Sequence, residues 1–101
     1  RETKAITLME AISKMTYGPA AFLEDHVPQM KKRGRIQEGS AADITIFDPE
    51  TVTDNATPKI GENSLPSTGI PYVIVNGTVV VDDSKVQNVA AGVAIRNETI
   101  E

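Results

Sequence analysis

The sequence predicts an α+β fold in which two short N-terminal helices are followed by a small, mostly antiparallel β-sheet. Apolar residues recur at helical spacing before residue 34, whereas short β-branched runs separated by turn residues follow it. The dipeptide Asn76-Gly77 stands between two such runs and is the strongest short-range signal for a β-hairpin. The change of period at 34–49 therefore divides the chain into a helical part, 1–33, and a β part, 34–101.

Composition narrows the classes of protein to which the chain can belong. Its 101 residues suffice for one small domain or for a piece of a larger one. The net charge of −4 argues against nucleic acid as a partner, and the absence of cysteine excludes disulfides and thiolate chemistry. No run approaches the ~18 apolar residues of a membrane span. Because the chain opens at Arg1 without a methionine or a signal peptide, we expect a fragment, and we favour a cytoplasmic over a secreted location.

Two helices are predicted in the first part of the chain. Thr7 and Glu10 have the spacing of a capping box, in which a hydroxyl and a carboxylate bind the first free amides of a helix. Gly18 is predicted to end this helix at positive φ, and Pro19 to open a second helix that runs to about Glu24. The apolar stripe of the first helix comprises Leu8, Ala11, Ile12 and Met15. The second helix is predicted to bury Ala20 or Ala21, together with Phe22 and Leu23.

The residues that could carry chemistry are each better explained as structure. His26 is the only histidine, and the side chains of 24–26 diverge at a helix end instead of converging on a metal. The basic run at 31–35 is short and lies in an acidic chain, so a solvated loop is favoured over a phosphate-binding patch. Asp43 and Asp48 stand at an odd spacing on opposite faces of a strand, so they cannot form an acid–base or metal-binding pair. We therefore predict no catalytic and no metal-binding residue, and we leave substrate-binding residues unassigned.

The β part is predicted to begin at an edge pairing and to end in a strand or tail. In chain order we expect an edge pairing at 35–37, a turn at 39–41, a strand at 43–48, a turn at 48–51, a second turn at 82–84, and a last strand or extended tail at 93–96. Residues 53–69 show no hydrophobic periodicity, and the segment is too long to serve only as a connection in a compact domain. This loop is predicted either to pack on a neighbour or to lie over a site.

The hairpin from Ile70 to Val81 is the clearest element. A two-residue type I′ turn at Asn76-Gly77 fixes the register of the two strands. The predicted pairs are Val75 with Thr78, Ile74 with Val79, Val73 with Val80, and Tyr72 with Val81. Both faces of the hairpin are apolar, so we expect the sheet to be covered on both sides.

Four segments carry a family resemblance. Gly34 to Pro49 has two glycines, Ala-Asp and an apolar run closing in Asp-Pro, and Thr68 to Gly77 contains the hairpin turn. Together with Thr7 to Ala20 and Gly92 to Arg96, these segments resemble the amidohydrolase superfamily, and most of all its N-acyl-D-amino-acid deacylase (D-aminoacylase) branch. In chain order they resemble the helices that finish the barrel of such enzymes, the return into the small β domain, its hairpin and its terminal strand. The resemblance spans nearly the whole chain and departs at 24–32, where many relatives have a shorter turn.

The resemblance implies that the chain is the C-terminal, non-catalytic part of a barrel-plus-β-sandwich enzyme. Residues 1–33 would close a (β/α)8 barrel, and 34–101 would form part of the small β domain. The parent enzyme would hydrolyse a C–N amide bond of an N-acyl-D-amino acid with zinc or a similar divalent metal. The catalytic and metal-binding residues of the family would all precede Arg1, so the fragment is expected to be inactive and to hold no cofactor.

Two other functions stay open at this point. The parent could instead act on cyclic amides, as hydantoinases and dihydroorotases do, or the chain could be an independent β-rich binding module. In each case we expect neither nucleic acid nor membrane as a partner. The fragment itself is expected to self-associate, because its hairpin and its Leu8/Ile12/Met15 stripe would be apolar and exposed and a sheet edge would lack its neighbour.

Overall fold

The structure, a computed structural model, describes residues 3–97 and separates the chain into two units. Of the described residues, the helical unit takes in 3–43 and 92–97, and the sheet unit is Ile44–Ala91. Helices come first and an all-antiparallel sheet follows, so the predicted α+β class is confirmed. The predicted division at residue 34 concerns the domains of a parent enzyme and stays a prediction.

Helix α1, Leu8–Met15, begins where the capping box predicts. The Glu10 backbone N–H donates to Thr7 Oγ1 at 3.2 Å, and the Thr7 backbone N–H donates to Glu10 Oε2 at 2.8 Å. These two bonds satisfy free amides of the first turn, which no residue within the helix can reach. The predicted stripe is present but only half covered, because Ala11 and Ile12 are half-buried while Leu8 and Met15 are exposed.

The predicted end of α1 at Gly18 is wrong. Helix α2 is Tyr17–Leu23, and the break falls at Thr16, whose φ of −124° and ψ of −81° are not helical. Thr16 donates its hydroxyl to the carbonyl of Ile12 at 2.7 Å, a back-bond that competes with continuation of the helix. Pro19 is then the third residue of α2. A backbone N–H at this position has no acceptor within the helix, so proline loses no helical hydrogen bond there.

The burial predicted for α2 is right for one residue and wrong for two. Ala20 is buried, with 1% of its surface exposed, whereas Phe22 is 82% and Leu23 41% exposed. Two steps along an α-helix turn the side chain by about 200°, so Phe22 lies on the face opposite Ala20. The inner face of α2 therefore contacts its neighbours through the methyl group of Ala20 and not through an aromatic ring.

The connection between the helices and the sheet contains no strand. Pro28–Lys32 forms a short 3-10 helix. The edge pairing predicted at 35–37 is wrong, because Gly34 turns the chain at a φ of 69° and the backbone that follows joins no ladder. A turn closes at Ser40, whose N–H donates to the carbonyl of Gln37 at 3.1 Å, one residue earlier than predicted.

The sheet has four strands in the order β1-β2-β3-β4, and every neighbouring pair is antiparallel. The strands are β1 Ile44–Ile46, β2 Tyr72–Val75, β3 Thr78–Asp82 and β4 Lys85–Val86. Asn76 and Gly77 have φ values of 50° and 81°, which confirms the tight turn between β2 and β3. Asp83 and Ser84 also take positive φ and connect β3 to β4 in the same way.

The predicted register of the hairpin is right at the turn and wrong beyond it. Val75 pairs with Thr78 and Ile74 with Val79, as predicted, but Val73 pairs with Val81 and not with Val80. A register shift between Val73 and Ile74 accounts for the difference, because a β-bulge inserts one extra residue on one strand. The shift aligns Val81 with both Val73 and Val86, and so joins the two hairpins.

The sheet unit has apolar faces but no core of its own. Pairing and alternation place five large apolar side chains on one face, which we term the isoleucine face: Ile44, Ile46, Tyr72, Ile74 and Val79. No residue of Ile44–Ala91 is buried, and three members of this face expose more than a third of their surface. Residues 93–96, predicted as a last strand or an extended tail, form no strand.

Candidate functional site

The most organised polar cluster of the helical unit surrounds Gly34. Gly34 has a φ of 69°, and a Cβ atom there would lie 2.5 Å from the carbonyl oxygen of Thr16 and 2.8 Å from Cβ of Ala20. Both facts require glycine, since a side chain would be strained by the backbone and would overlap the junction of the two helices. The chain after the 3-10 helix is therefore pressed against the break between α1 and α2.

Arg35 anchors this close approach. Its Nη2 donates to Glu24 Oε2 at 2.8 Å, its Nε donates to the carbonyl of Arg33 at 3.0 Å, and its guanidinium lies 4.9 Å from the centre of the Tyr17 ring. Arginine suits this position because its planar fork can bind a carboxylate while it stacks on an aromatic face. The bend after the 3-10 helix is thereby tied to both ends of α2.

Arg33 completes the cluster through an ion pair with Asp43. The arginine side chain retains 18% of its exposure and the aspartate 32%, so the pair is partly shielded from water. We term the residues Glu24, Arg33, Gly34, Arg35 and Asp43 the arginine clamp. The basic run predicted as a solvated loop is thus divided, since Lys31 and Lys32 are exposed while the two arginines bind carboxylates.

The arginine clamp can position backbone but offers no group for acid–base or nucleophilic work. Each of its carboxylates is bound by a guanidinium, which cannot give up its proton at neutral pH. It contains no hydroxyl, thiol or imidazole. His26, the one histidine, is exposed on the turn after α2, where its backbone N–H donates to the carbonyl of Leu23 at 3.0 Å. That none of these residues is catalytic stays a prediction.

The residues present do not fit the divalent metal that the resemblance implies for a parent enzyme. Within residues 3–97, no group of three or more His, Cys, Asp or Glu side chains could hold a metal ion. Asp43 is paired with Arg33, and the Asp48 side chain accepts the backbone N–H of Glu50 at 2.9 Å.

The second organised feature is the closed neck of the loop at 53–69. The Asp48 N–H donates to the carbonyl of Gly69 at 2.9 Å, and Thr53 and Thr68 exchange backbone hydrogen bonds of 3.0 Å. Gly69, at a φ of 82°, approaches the backbone so closely that a Cβ would lie 2.6 Å from the Cα of Val52. The predicted turn after Asp48 is confirmed by its side-chain bond to Glu50.

The loop beyond this neck is shaped by its own hydrogen bonds. Asn55 Nδ2 donates to the carbonyl of Pro66 at 3.0 Å, and Thr57 Oγ1 donates to Glu62 Oε2 at 2.7 Å. At the tip, Ile60 is fully exposed. Both predictions for this loop, that it packs on a neighbour or that it lies over a site, stay predictions.

The features described above lie in a part of the chain that matches a known protein family. The chain belongs to the amidohydrolase family, whose profile matches residues 1–81. The matched residues include both helices, the arginine clamp, the loop at 53–69 and most of the hairpin. The predicted membership of the superfamily is confirmed.

Two curated relatives identify the branch. The chain is 41% identical over 80 residues to an N-acyl-D-glutamate deacylase of Alcaligenes xylosoxydans xylosoxydans, which covers 79% of the chain and 15% of that protein. It is 38% identical over 85 residues to an N-acyl-D-aspartate deacylase of the same organism, which covers 84% of the chain and 16% of that protein. The resemblance to the D-aminoacylase branch is confirmed, and the chain spans about a sixth of the length of these relatives. No solved structure matches the chain significantly.

The arginine clamp has no local pattern in the sequence, because its partners are far apart in the chain. Arg35 and Glu24 are separated by 11 residues and Arg33 and Asp43 by 10. No fixed spacing signals such pairs, whereas helix caps and tight turns depend on residues within three or four positions. The glycine between two arginines was the only local signal, and the stretch Gly34 to Pro49 pointed to a family without indicating which residues its arginines bind. No helix in the described part of the chain is long and apolar enough to cross a membrane.

Proposed function

We propose that the chain is the non-catalytic portion of a metal-dependent amidohydrolase that hydrolyses the C–N amide bond of N-acyl-D-amino acids. The observation that carries this proposal is the pair of relatives, both named as deacylases of N-acyl-D-amino acids and both aligned over more than three quarters of the chain. The substrate in each name is acidic, so we further propose an N-acyl-D-amino acid with a carboxylate side chain. The metal is assigned to residues outside these 101.

The role proposed for the helical unit is to hold a fixed surface against the barrel of the parent enzyme. Two features support this role. The arginine clamp sets the path of the chain after α2, and the outward side chains Leu8, Met15 and Phe22 are 50%, 70% and 82% exposed. Apolar side chains at such exposure are stabilised when another part of a protein covers them, at about 25 cal/mol per Å² buried. The clamp would then fix the helices in the geometry that the barrel requires.

A chimera tests this function directly. The 80 residues of the N-acyl-D-glutamate deacylase that align with the chain would be replaced by the corresponding residues of this chain. We expect the chimera to release D-glutamate from N-acetyl-D-glutamate, and a relative from which the segment is deleted to be inactive and poorly folded. A chimera that carries Gly34→Ala is the matched control, because it should lose thermal stability and activity together.

Three results would contradict the proposal. Hydrolysis by the isolated 101-residue chain would overturn its non-catalytic role. Full activity of the deletion variant would show that the segment is dispensable. Activity of the longer native polypeptide on a hydantoin or on dihydroorotate, with none on N-acetyl-D-glutamate, would favour the cyclic-amide alternative.

A further inference from the structure

Asn76 is the only asparagine of the chain that is followed by glycine. The side-chain amide of asparagine is lost most readily at such a position, because glycine has no Cβ to hinder attack by its own backbone nitrogen. Both residues are exposed, and a Cβ added to Gly77 would have nothing within 4 Å. By sequence and exposure alone, Asn76 is therefore the most reactive asparagine of the chain.

Loss of this amide needs water and no other molecule. The backbone nitrogen of Gly77 bonds to Cγ of Asn76, the bond between Cγ and Nδ2 breaks, and the released nitrogen leaves as ammonia with the proton of the Gly77 amide. Water then opens the cyclic imide at either of its carbonyls. The product is aspartate, or isoaspartate in which the main chain runs through Cγ, and no atom is oxidised or reduced.

The turn holds Asn76 in a conformation in which this ring cannot close. The φ values of 50° at Asn76 and 81° at Gly77 are those of a type I′ turn. The first central residue of such a turn, the mirror image of type I, has a ψ of about +30°. At that ψ the Cβ of Asn76 and the nitrogen of Gly77 point in nearly opposite directions about the Cα–C bond, whereas ring closure needs them on the same side. The ring can therefore form only after a rotation that opens the turn.

We propose that Asn76 is a deamidation site gated by the hairpin of β2 and β3. While the hairpin is closed the amide is retained, and each opening of the turn exposes it to conversion. Because opening and closing are fast relative to the chemistry, the rate follows the population of the open state. The protection arises within the turn, so it does not depend on residues before or after this chain. It does not depend on the proposed function either.

The two products should affect the hairpin differently. Aspartate preserves the length of the backbone, and Asp-Gly is as typical of a type I′ turn as Asn-Gly. Isoaspartate adds a methylene group to the backbone of a two-residue turn, so Val75 and Thr78 can no longer pair in their present register. Conversion to isoaspartate would therefore prevent the hairpin from closing again.

The rate of deamidation with and without the hairpin tests the gate. The reference is a synthetic peptide of residues 74–79 in the same mildly alkaline buffer, because so short a segment has no stable hairpin. We expect Asn76 to lose its amide at least about tenfold more slowly in the chain than in the peptide. Peptide mass spectrometry measures the rate, and circular dichroism of the chain records its sheet.

A pair of substitutions at Thr78 tests the gate within the chain. Thr78→Pro removes the N–H with which a turn of this type closes onto Val75, and it leaves the reacting atoms of Asn76 and Gly77 unchanged. Deamidation should then accelerate to nearly the rate of the peptide. Thr78→Val is the matched control, because valine keeps the N–H and the β-branched shape, and this variant should react as slowly as the wild type.

Any of three results overturns the proposal. A wild-type chain that loses the Asn76 amide as fast as the peptide would show that the turn gives no protection. Equal rates in Thr78→Pro and Thr78→Val would show that closure of the turn does not control the reaction. Isoaspartate-containing chains, separated by chromatography, that unfold at the wild-type midpoint would show that the hairpin closes in spite of the added methylene group.

Discussion

In the helical unit the path of the chain depends on side chains that meet across long stretches of sequence, whereas in the sheet unit the two hairpins depend on backbone conformations set by adjacent residues. The arginine clamp and Ala20 exemplify the first kind of contact, and the Asn76-Gly77 turn exemplifies the second. Neither unit has a large buried side chain in its described part. We therefore expect substitutions at only a small number of positions to destabilise each unit strongly, and the kind of position differs between the two units.

The largest effect is expected at Gly34. Gly34→Ala should lower the free energy of unfolding by about 3 kcal/mol or more, because strained φ adds to an overlap with the Thr16 carbonyl. Gly39→Ala is the matched control, since Gly39 also has positive φ but has nothing within 4 Å of the new Cβ. Chemical denaturation followed by circular dichroism gives both values. Equal losses would mean that the close approach contributes nothing.

The next effect tests the sheet unit at its turn. Gly77→Val should cost about 1–3 kcal/mol, because a β-branched residue is forced to positive φ in open space. The loss should appear in the β signal and leave the helical signal intact. Gly92→Val, at a glycine with ordinary φ and open surroundings, should be neutral. An unchanged unfolding midpoint for Gly77→Val would show that another turn type is present.

A smaller effect is expected from Arg35→Lys. The substitution keeps the charge but loses the fork that holds Glu24 and the stacking on Tyr17, so we expect a loss of about 1–2 kcal/mol. Lys31→Arg, at an exposed position, should have no measurable effect. Thermal unfolding of the two variants distinguishes a hydrogen-bonded, stacked role of the planar guanidinium from simple charge attraction. If Arg35→Lys is as stable as the wild type, attraction alone is sufficient.

The smallest effect is a pH dependence of α1. Hydrogen bonds from the backbone and then the side chain of Thr7 lower the pKa of the Glu10 carboxyl below its ordinary value. A carboxyl whose pKa is lower in the folded state stabilises the fold above its unfolded pKa, and this contribution is lost as the pH falls through the folded pKa. Helix content should therefore decline in acid more steeply in the wild type than in Glu10→Gln, as circular dichroism between about pH 7 and pH 2 would show. Identical profiles would contradict the capping role.

The sequence predicted those features that depend on near neighbours. The capping box at Thr7, the turn at Asp48 and the hairpin at Asn76-Gly77 each lie within four residues and are confirmed. The bulge beside Ile74 was missed, because both registers pair apolar residues and only the second hairpin decides between them. The exposure of Phe22 was missed for a similar reason, since apolar spacing alone does not say which face of α2 meets Gly34.

The family and its branch could be predicted from the order of short motifs in the sequence, whereas the geometry of the candidate site could not. Gly34 belongs to a motif in the sequence, but glycine is required there because of the Thr16 carbonyl, eighteen positions earlier in the chain. The ion pairs of Arg33 and Arg35 likewise join residues that no local pattern connects. Residues whose partners are distant in sequence become visible only when the fold brings them together.

The closed neck of the loop at 53–69 has a consequence for how the family can vary. Because Thr53 and Thr68 are joined by their own backbone bonds and Gly69 is held by Asp48, the two ends of the loop stay together whatever lies between them. Doubling the length of a flexible loop costs only about 0.6 kcal/mol in closure entropy. Insertions and deletions between the two threonines should therefore leave β1 and β2 in register. We expect the chain to tolerate a grafted epitope or a fluorescent tag at Ile60 with little loss of stability.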